Sequence, residues 1–315
     1  CKNFASLNSY HNMKKTILAF LTLVISISAS AQVNGAVSQQ FFQLPIIPDS
    51  IVSFQNRCDF MVTHYWDFCD LKKAFSSRDK MADAFKMYIS FMPYASADVV
   101  FKSVDKFLGG ISKKPDDMLF IARLAENNIY ADTAEFQSEQ LYTHFIDGIL
   151  KSKKLDKNSR EYYEKQASVL HNSQEGMMAP SFDITDSQGA KTKFVTDTAQ
   201  FATLLMFMVP GDSDAELAKT RLNANIKTSQ LVKSGMLKIY CIATKNNGER
   251  FTSPEGWTSG FAPGIEEIYD VRKSPMFYII NSEGKILKKG NELEPVLNVM
   301  QLIRIPRNKT QQTTN

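Results

Sequence analysis

Residues 203–209, TLLMFMV, form a continuous apolar run of strand length, and the sequence after them, PGDSDAELAK, turns directly into helix-forming residues. So short and unbroken an apolar run fits a strand buried on both faces, which requires a further layer on each side of its sheet. That constraint selects an α/β arrangement for the surrounding region. The end of such a strand, where a helix begins, is also a place where free backbone N–H groups favour negative charge. The residues at 210–216 therefore decide which chemistry is available there.

The hydrophobic period changes along the chain. From about residue 50 to 175 it is helical. Met81, Phe85, Tyr88 and Met92 form one stripe, and Leu141, Phe145 and Ile149 a second, with Tyr142 and Ile146 on its flank. In REYYEKQASVLHN the period selects Tyr162, Gln166, Val169 and Leu170. SKKPDD (112–117) and KSKKLDKNSR (151–160) separate these helices.

Beyond NSQEGMMAP, the stretch SFDITDSQGAKTKF alternates and turns at Ser187-Gln188-Gly189, which predicts a hairpin. A short segment around 197–202 leads into the strand at 203–209 and one helix from about 214 to 233. MLKIYCIAT (236–244) is a second buried strand, MFYIIN and KILKKG flank Ser282-Glu283-Gly284 as another hairpin, and ELEPVLNVMQLI (292–303) closes with a helix. The order strand, helix, strand, helix, hairpin, helix predicts a parallel pair with an antiparallel edge. The fold class is thus α + α/β: an all-helical N-terminal domain over 32–175, an α/β domain over 176–303, and a polar, disordered tail at 304–315.

From Met13 the chain reads MKKTILAFLTLVISISASAQ, with two lysines, an apolar run and small residues ending at Ala31. This predicts a signal peptide over 13–31, cleaved before Gln32, and a periplasmic or secreted protein. The apolar run Thr16–Ile27 is shorter than the roughly 20 residues of a spanning helix, so a soluble protein is expected rather than a membrane-spanning one. Residues 1–12 read as an over-translated leader. Cleavage leaves 284 of the 315 residues and removes Lys2, Lys14 and Lys15 with no acid, so the formal charge falls from +4 to +1. A near-neutral chain gives no electrostatic case for nucleic acid or an anionic membrane surface. Three cysteines remain, Cys58, Cys69 and Cys241, and an odd count does not suggest a disulfide framework.

APSFDITDSQG, LLMFMVPGDSDAEL, VRKSPMFYIINSEGKIL and the hairpin within the last of these resemble, in order and spacing, the thioredoxin-like fold. The likeness is to its exported thiol–disulfide oxidoreductase and peroxiredoxin-related branch, over roughly 177–303. QLPIIPDSIVSFQNRCDFMVTHYWDFCDL, with Arg57 and the run His64-Tyr65-Trp66-Asp67, resembles a helical domain of unknown function that precedes thioredoxin-like domains in exported Gram-negative bacterial proteins. EGMMAPSFDI and SPEGWTSG agree with that pairing.

The resemblance implies a cis peptide at Pro275 and, beside it, a groove for polypeptide main chain bordered by Ser274, Pro275 and Trp257. Pro275 as a simple shaper of the hairpin entry, and Trp257 as a packing plug, remain open. The branch's P-x-C-x-x-C pattern, counted from Pro210, places its cysteines at Asp212 and Ala215. A carboxylate does not attack a disulfide sulfur and alanine has no nucleophile, so the position reads as redox-inactive. Ser213-Asp214-Ala215-Glu216 fits a capping box, with Ser213 as the cap and Glu216 as its reciprocal partner.

Cys241 reads as a small buried hydrophobe. On one continuous helix Cys58 and Cys69 lie about 16 Å apart, beyond the roughly 7 Å of a disulfide, so pairing requires a break near Trp66-Asp67. His64, at i, i+3 from Asp67 in aromatic company, reads as a core histidine rather than a metal ligand. Asp183 and Asp186 read as ordinary acids of an alternating strand rather than a calcium site. No catalytic residue, metal or cofactor is predicted. Three functions stay open: a non-catalytic module binding a polypeptide or envelope protein, a thiol–disulfide oxidoreductase using Cys58, Cys69 or Cys241, and a helical domain that binds a ligand, which nothing in the sequence names, or an envelope partner, with the second domain supporting it.

Overall fold

A computed structural model describes residues 42–196, 202–248 and 251–303. The predicted leader, signal peptide and tail, and nearly all of the 197–202 segment, lie outside the described residues. The chain divides after Arg160 into two compact units.

The first unit is helical: α1 (Phe54–His64), α2 (Leu71–Ala74), α3 (Arg78–Ser90), a 3-10 turn (Met92–Tyr94), α4 (Ala97–Ile111), α5 (Pro115–Ala125), a π-helical turn (Glu126–Tyr130) and α6 (Glu139–Leu150). Helix α7 (Lys157–Asn172) carries the division. Cap chemistry sets several starts: the side chains of Ser53, Asp70 and Ser138 accept backbone N–H groups of α1, α2 and α6, and Pro115 opens α5, where its missing N–H costs nothing. At the start of α4, Ser96 donates its N–H and its hydroxyl to the two oxygens of Asp59, at 2.6 and 2.8 Å.

Met81, Phe85, Tyr88 and Met92 are buried as one stripe, as are Leu141, Phe145 and Ile149 together with their flanking Tyr142 and Ile146. Trp66 stacks on Phe107 and Phe42, with ring centroids 4.7 and 5.6 Å apart. The hydroxyls inside this aromatic core are satisfied. Tyr65 donates to the Ala84 carbonyl at 2.9 Å, and Ser103 donates to the Val62 carbonyl at 2.5 Å. Tyr88 is therefore the donor to Ser103 Oγ across 2.7 Å. On α7 the buried residues are Tyr163, Ala167, Val169 and Leu170, and Tyr162 is half exposed. The expected inward Tyr162 is corrected by one residue, because Ala167 and Leu170 set the stripe on which Tyr163, not Tyr162, falls.

The second unit is built on a seven-stranded mixed sheet in the order β2-β1-β5-β4-β3-β6-β7. Its strands are β1 (Phe182–Thr185), β2 (Lys191–Phe194), β3 (Ala202–Met208), β4 (Leu237–Ala243), β5 (Thr258–Phe261), β6 (Met276–Asn281) and β7 (Ile286–Gly290), with helices α8 (Ser213–Ala224), α9 (Ile226–Lys233) and α10 (Leu293–Leu302). The β3–β4 and β4–β5 pairs are parallel, whereas β1–β2, β1–β5, β3–β6 and β6–β7 are antiparallel.

Every residue of β3 is buried. Ala202, Leu204, Met206 and Met208 enter a core with Leu222 of α8, Leu231 of α9 and Val296 of α10. Leu205 and Phe207 enter a second, aromatic core with Phe182, Tyr269 and Tyr278. Fully burying each such side chain stabilises the fold by about 1.5–3 kcal/mol.

Three expectations change. The helix expected over 214–233 is two helices, because Asn225 has extended dihedrals and its side chain accepts the Thr228 N–H, ending α8 and capping α9. Between β4 and β6 stand β5 and a three-residue 3-10 turn, Ile265–Glu267, rather than a helix. Gly260 lets β5 approach β1, since a Cβ there would collide with Ile184 Cγ2 and lie 2.7 Å from the Thr185 carbonyl oxygen. Asp186 sits in the hairpin turn, not the strand, and its Oδ1 accepts the Gln188 and Ala190 N–H groups at 2.8 and 2.9 Å.

The segment entering β6 is held by Asp270, which is 5% exposed. Arg272 donates Nε and Nη2 to its two oxygens, each at 2.8 Å, and the Tyr278 hydroxyl donates to its carbonyl at 2.8 Å. Burial acts to raise the Asp270 carboxyl, but the hydrogen bonds and charge of Arg272 prevail and hold it below the usual carboxylate range. A depressed native pKa contributes stability that is fully present above the unfolded carboxyl's titration and lost as pH falls through about 4 and lower. Asp270→Ala is expected to cost about 2 kcal/mol, less than a fully buried pair because Arg272 keeps contact with water. Denaturant melts at pH 7 and pH 3 check this: the gap between wild type and variant shrinks at pH 3.

Candidate functional site

The candidate site is the junction between β3 and α8. β3 ends at Met208, whose carbonyl accepts the Thr244 N–H at 2.9 Å. The next N–H, of Val209, donates to Ser274 Oγ at 3.0 Å. Buried Pro210 offers its carbonyl to Asn247 Nδ2 at 2.8 Å. Gly211 then takes φ +82°, a left-handed conformation that favours glycine, and brings the chain into α8.

Asp212 is the cap of α8. Its backbone is extended, and its Oδ1 accepts the Ala215 N–H at 2.8 Å. This corrects the expected capping box. Ser213 is the first helical residue and is exposed, and Glu216 lies one position beyond the reciprocal place. Instead, Glu216 pairs through Oε2 with Lys219 Nζ at 2.6 Å. Asp and Ser both cap well, and the extended dihedrals of Asp212 select it over Ser213. Ala215 is fully buried, in the same core as Ala218, Leu222 and Cys241.

The peptide bond between Ser274 and Pro275 is cis. Pro275 is buried, Ser274 half-buried, and the Ser274 hydroxyl ties this segment to Val209 beside the 210–216 turn. Trp257 is half-buried and packs against the α8–α10 core together with Phe251. Sequence reasoning missed Asn247 and Lys219. Lys219 is buried and, besides Glu216, donates to the Thr252 carbonyl at 2.9 Å. Its i, i+3 spacing from Glu216 was the available signal.

Cys58, Cys69 and Cys241 are free thiols. Helix α1 ends before Cys69, at a turn in which the Asp67 N–H bonds to the His64 carbonyl and the Cys69 N–H to that of Trp66. Burial pushes the Cys58 thiol up to about 11, with Asp59 adding to the effect, and Cys69 up to about 11, with Asp70 adding to it. Burial pushes Cys241 up to about 12, against a smaller opposing influence of Lys219. Cys241 donates its S–H to Met208 Sδ at 3.6 Å.

His64 is not a core residue: its side chain is 41% exposed, and Nδ1 lies 2.7 Å from Asp67 Oδ2. Lys106 Nζ takes the other Asp67 oxygen at 2.7 Å. The hydrogen bond from Lys106, and then that from His64, hold the Asp67 carboxyl below its ordinary value. The correction follows from α1 ending at His64, which leaves its ring at the helix end beside Phe60. Among the described residues no group of three or more His, Cys, Asp or Glu side chains is placed to hold a metal ion. No helix among them is long and apolar enough to cross a membrane.

Fold and junction together define the second unit as thioredoxin-like. Residues 22–173 match DUF5106, a domain of unknown function. The crystal structure of a thioredoxin-like protein from Bacteroides caccae ATCC 43185 shares the fold at TM-score 0.67 and 19% identity, over 84% of this chain and 99% of that one. A thiol:disulfide interchange protein from Bacteroides sp. matches at TM-score 0.34 and 15% identity, over 44% of this chain and 97% of that one. No curated protein matches this sequence.

Because Asp212 holds the cap, Asp212→Ala is expected to lower stability by about 1 kcal/mol, whereas Ser213→Ala stays within about 0.5 kcal/mol of wild type. Urea denaturation of the two variants separates them.

Proposed function

We propose that the chain is an exported protein whose thioredoxin-like unit has lost dithiol exchange and serves as a binding or scaffold module for a polypeptide or envelope protein. The observation that carries this reading is the Asp212–Ala215 hydrogen bond. The two positions that hold sulfur in a dithiol enzyme are here a helix cap and a buried alanine. Exchange needs a thiolate to attack and a second sulfur to resolve the mixed disulfide, and neither position supplies one.

The remaining thiols give no support to the alternative of an oxidoreductase using Cys58, Cys69 or Cys241. All three are shifted toward the protonated, unreactive form, opposite to the lowered pKa of a catalytic cysteine. A main-chain-binding surface beside Ser274 and Pro275 needs no thiol, since backbone hydrogen bonding is enough to hold an extended segment. Trp257 borders that groove in this reading. Export rests on the Met13–Ala31 pattern.

Insulin disulfide reduction by the full chain, compared with its Cys58→Ser/Cys69→Ser/Cys241→Ser variant, tests the reading. Equal and near-background rates are expected, and wild-type turnover clearly above the variant overturns it. Iodoacetamide labelling at pH 8 is a companion test. Cys58, Cys69 and Cys241, followed by peptide mapping, should react about 100-fold more slowly than in the unfolded chain, because raised pKa values leave little thiolate at that pH.

A further inference from the structure

The helical unit contains a cleft of about 1000 Å³ between the α3–α4 corner and the segment leading into α6. Its floor is apolar, with Ile89, Met92, Val100 and Leu141 all buried, and Tyr94, Phe101 and Phe136 form its walls. The volume is at the upper end of the roughly 300–1,000 Å³ of small-molecule sites.

Two features precede the second wall in the chain. A π-helical turn at Glu126–Tyr130 interrupts the end of α5, and such turns are frequent at functional positions. The loop after it is satisfied by its own neighbourhood rather than by closing on the 92–101 segment. The Phe136 N–H donates to the Asn128 carbonyl at 3.3 Å and the Ser138 N–H to that of Ile129 at 3.1 Å. Gln137 Nε2 donates to the carbonyls of Ala131 and Asp132 at 3.2 and 2.8 Å.

The walls are also tied in place. Lys86 Nζ meets Glu135 Oε2 at 2.9 Å, while His144 Nε2 meets Asp105 Oδ1 at 3.0 Å with its ring stacked on Phe101. Ala95, Ala97 and Ala134 line the cleft where larger side chains would fill it.

The electrostatics narrow the occupant. Glu135 is the charged lining residue, and Lys86 already neutralises it. The other polar lining residues, Tyr94, Thr133, Gln137, Ser138 and Gln140, are uncharged. An anion finds no lysine or arginine among the lining residues, and a cation has to displace Lys86 from Glu135. Desolvating an unpaired charge there is unfavourable, whereas an apolar body gains from leaving water.

We propose that this cleft binds a neutral, largely apolar small molecule bearing a few hydrogen-bonding groups. Its body lies against Met92, Val100, Phe101 and Leu141, and Gln140 at the rim orients its polar end. The assignment is independent of whether the thioredoxin-like unit exchanges disulfides.

Titration of the full chain with Nile red, a neutral apolar dye, tests it against the anionic dye 1-anilinonaphthalene-8-sulfonate. Ala97→Trp and Thr133→Trp place bulk at two exposed lining positions on separate elements, so either variant carries the comparison if the other fails to fold by circular dichroism. The expected result is saturable, one-to-one Nile red binding with a blue-shifted emission, weakened about tenfold or more in each folded variant, and at least about tenfold weaker binding of the anionic dye. Non-saturable binding, unchanged affinity in a folded variant, or equal affinity for the anionic dye overturns the proposal.

Discussion

The second unit depends on β3 being buried along its whole length and paired on both sides, to β4 over Ala202–Met208 and to β6 over Ala202–Phe207. A strand enclosed in that way leaves little freedom where it ends. The Met208 carbonyl, the Val209 N–H and the Pro210 carbonyl each go to a different neighbour: Thr244, Ser274 and Asn247. The junction is thus fixed from two loops, the one after β4 and the one before β6, before α8 begins, and the Asp212 carboxylate then takes up a first-turn N–H of that helix. In a dithiol enzyme the same helix N-terminus stabilises a thiolate. Here it is occupied by a carboxylate that cannot exchange with sulfur.

The same economy of polar groups governs the helical unit. Tyr65, Tyr88 and Ser103 are buried together, and their hydroxyls end on the Ala84 and Val62 carbonyls. Asp59 serves the start of α4 from a different helix. Cys58 is packed into this core, and its thiol is held protonated by the burial that makes it useful for packing. Cys58 and Cys241 fill space in the two cores. In both units, therefore, the chemistry available to a side chain follows from what surrounds it rather than from its identity alone.

Much of the architecture was legible from local pattern. The apolar run at 203–209 and the Ser187-Gln188-Gly189 turn announced β3 and the first hairpin, because each signal is contained within a few residues. β5 was not legible, since its four residues pair with β4 and β1 from distant parts of the chain and its glycine hides the alternation. The break at Asn225 was invisible to hydrophobic periodicity and is set by a cap bond to Thr228. At the site itself, the absence of both sulfurs was plain from the letters at 212 and 215. Which of Asp212 and Ser213 caps the helix was not, because both residue types cap well and only the backbone dihedrals decide. The cleft of the helical unit left no sequence signal, because its lining comes from two segments, 89–101 and 133–141, that only the fold brings together.

The proposed function holds that this unit has the thioredoxin-like shape without its dithiol exchange because of the residues at 212 and 215. Restoring sulfur there tests it most directly. The Asp212→Cys/Ala215→Cys protein, with folding verified, should form a reducible disulfide across the first turn of α8 and reduce insulin at least about tenfold faster than wild type. A folded double variant that holds both thiols yet stays as inert as wild type would contradict the account.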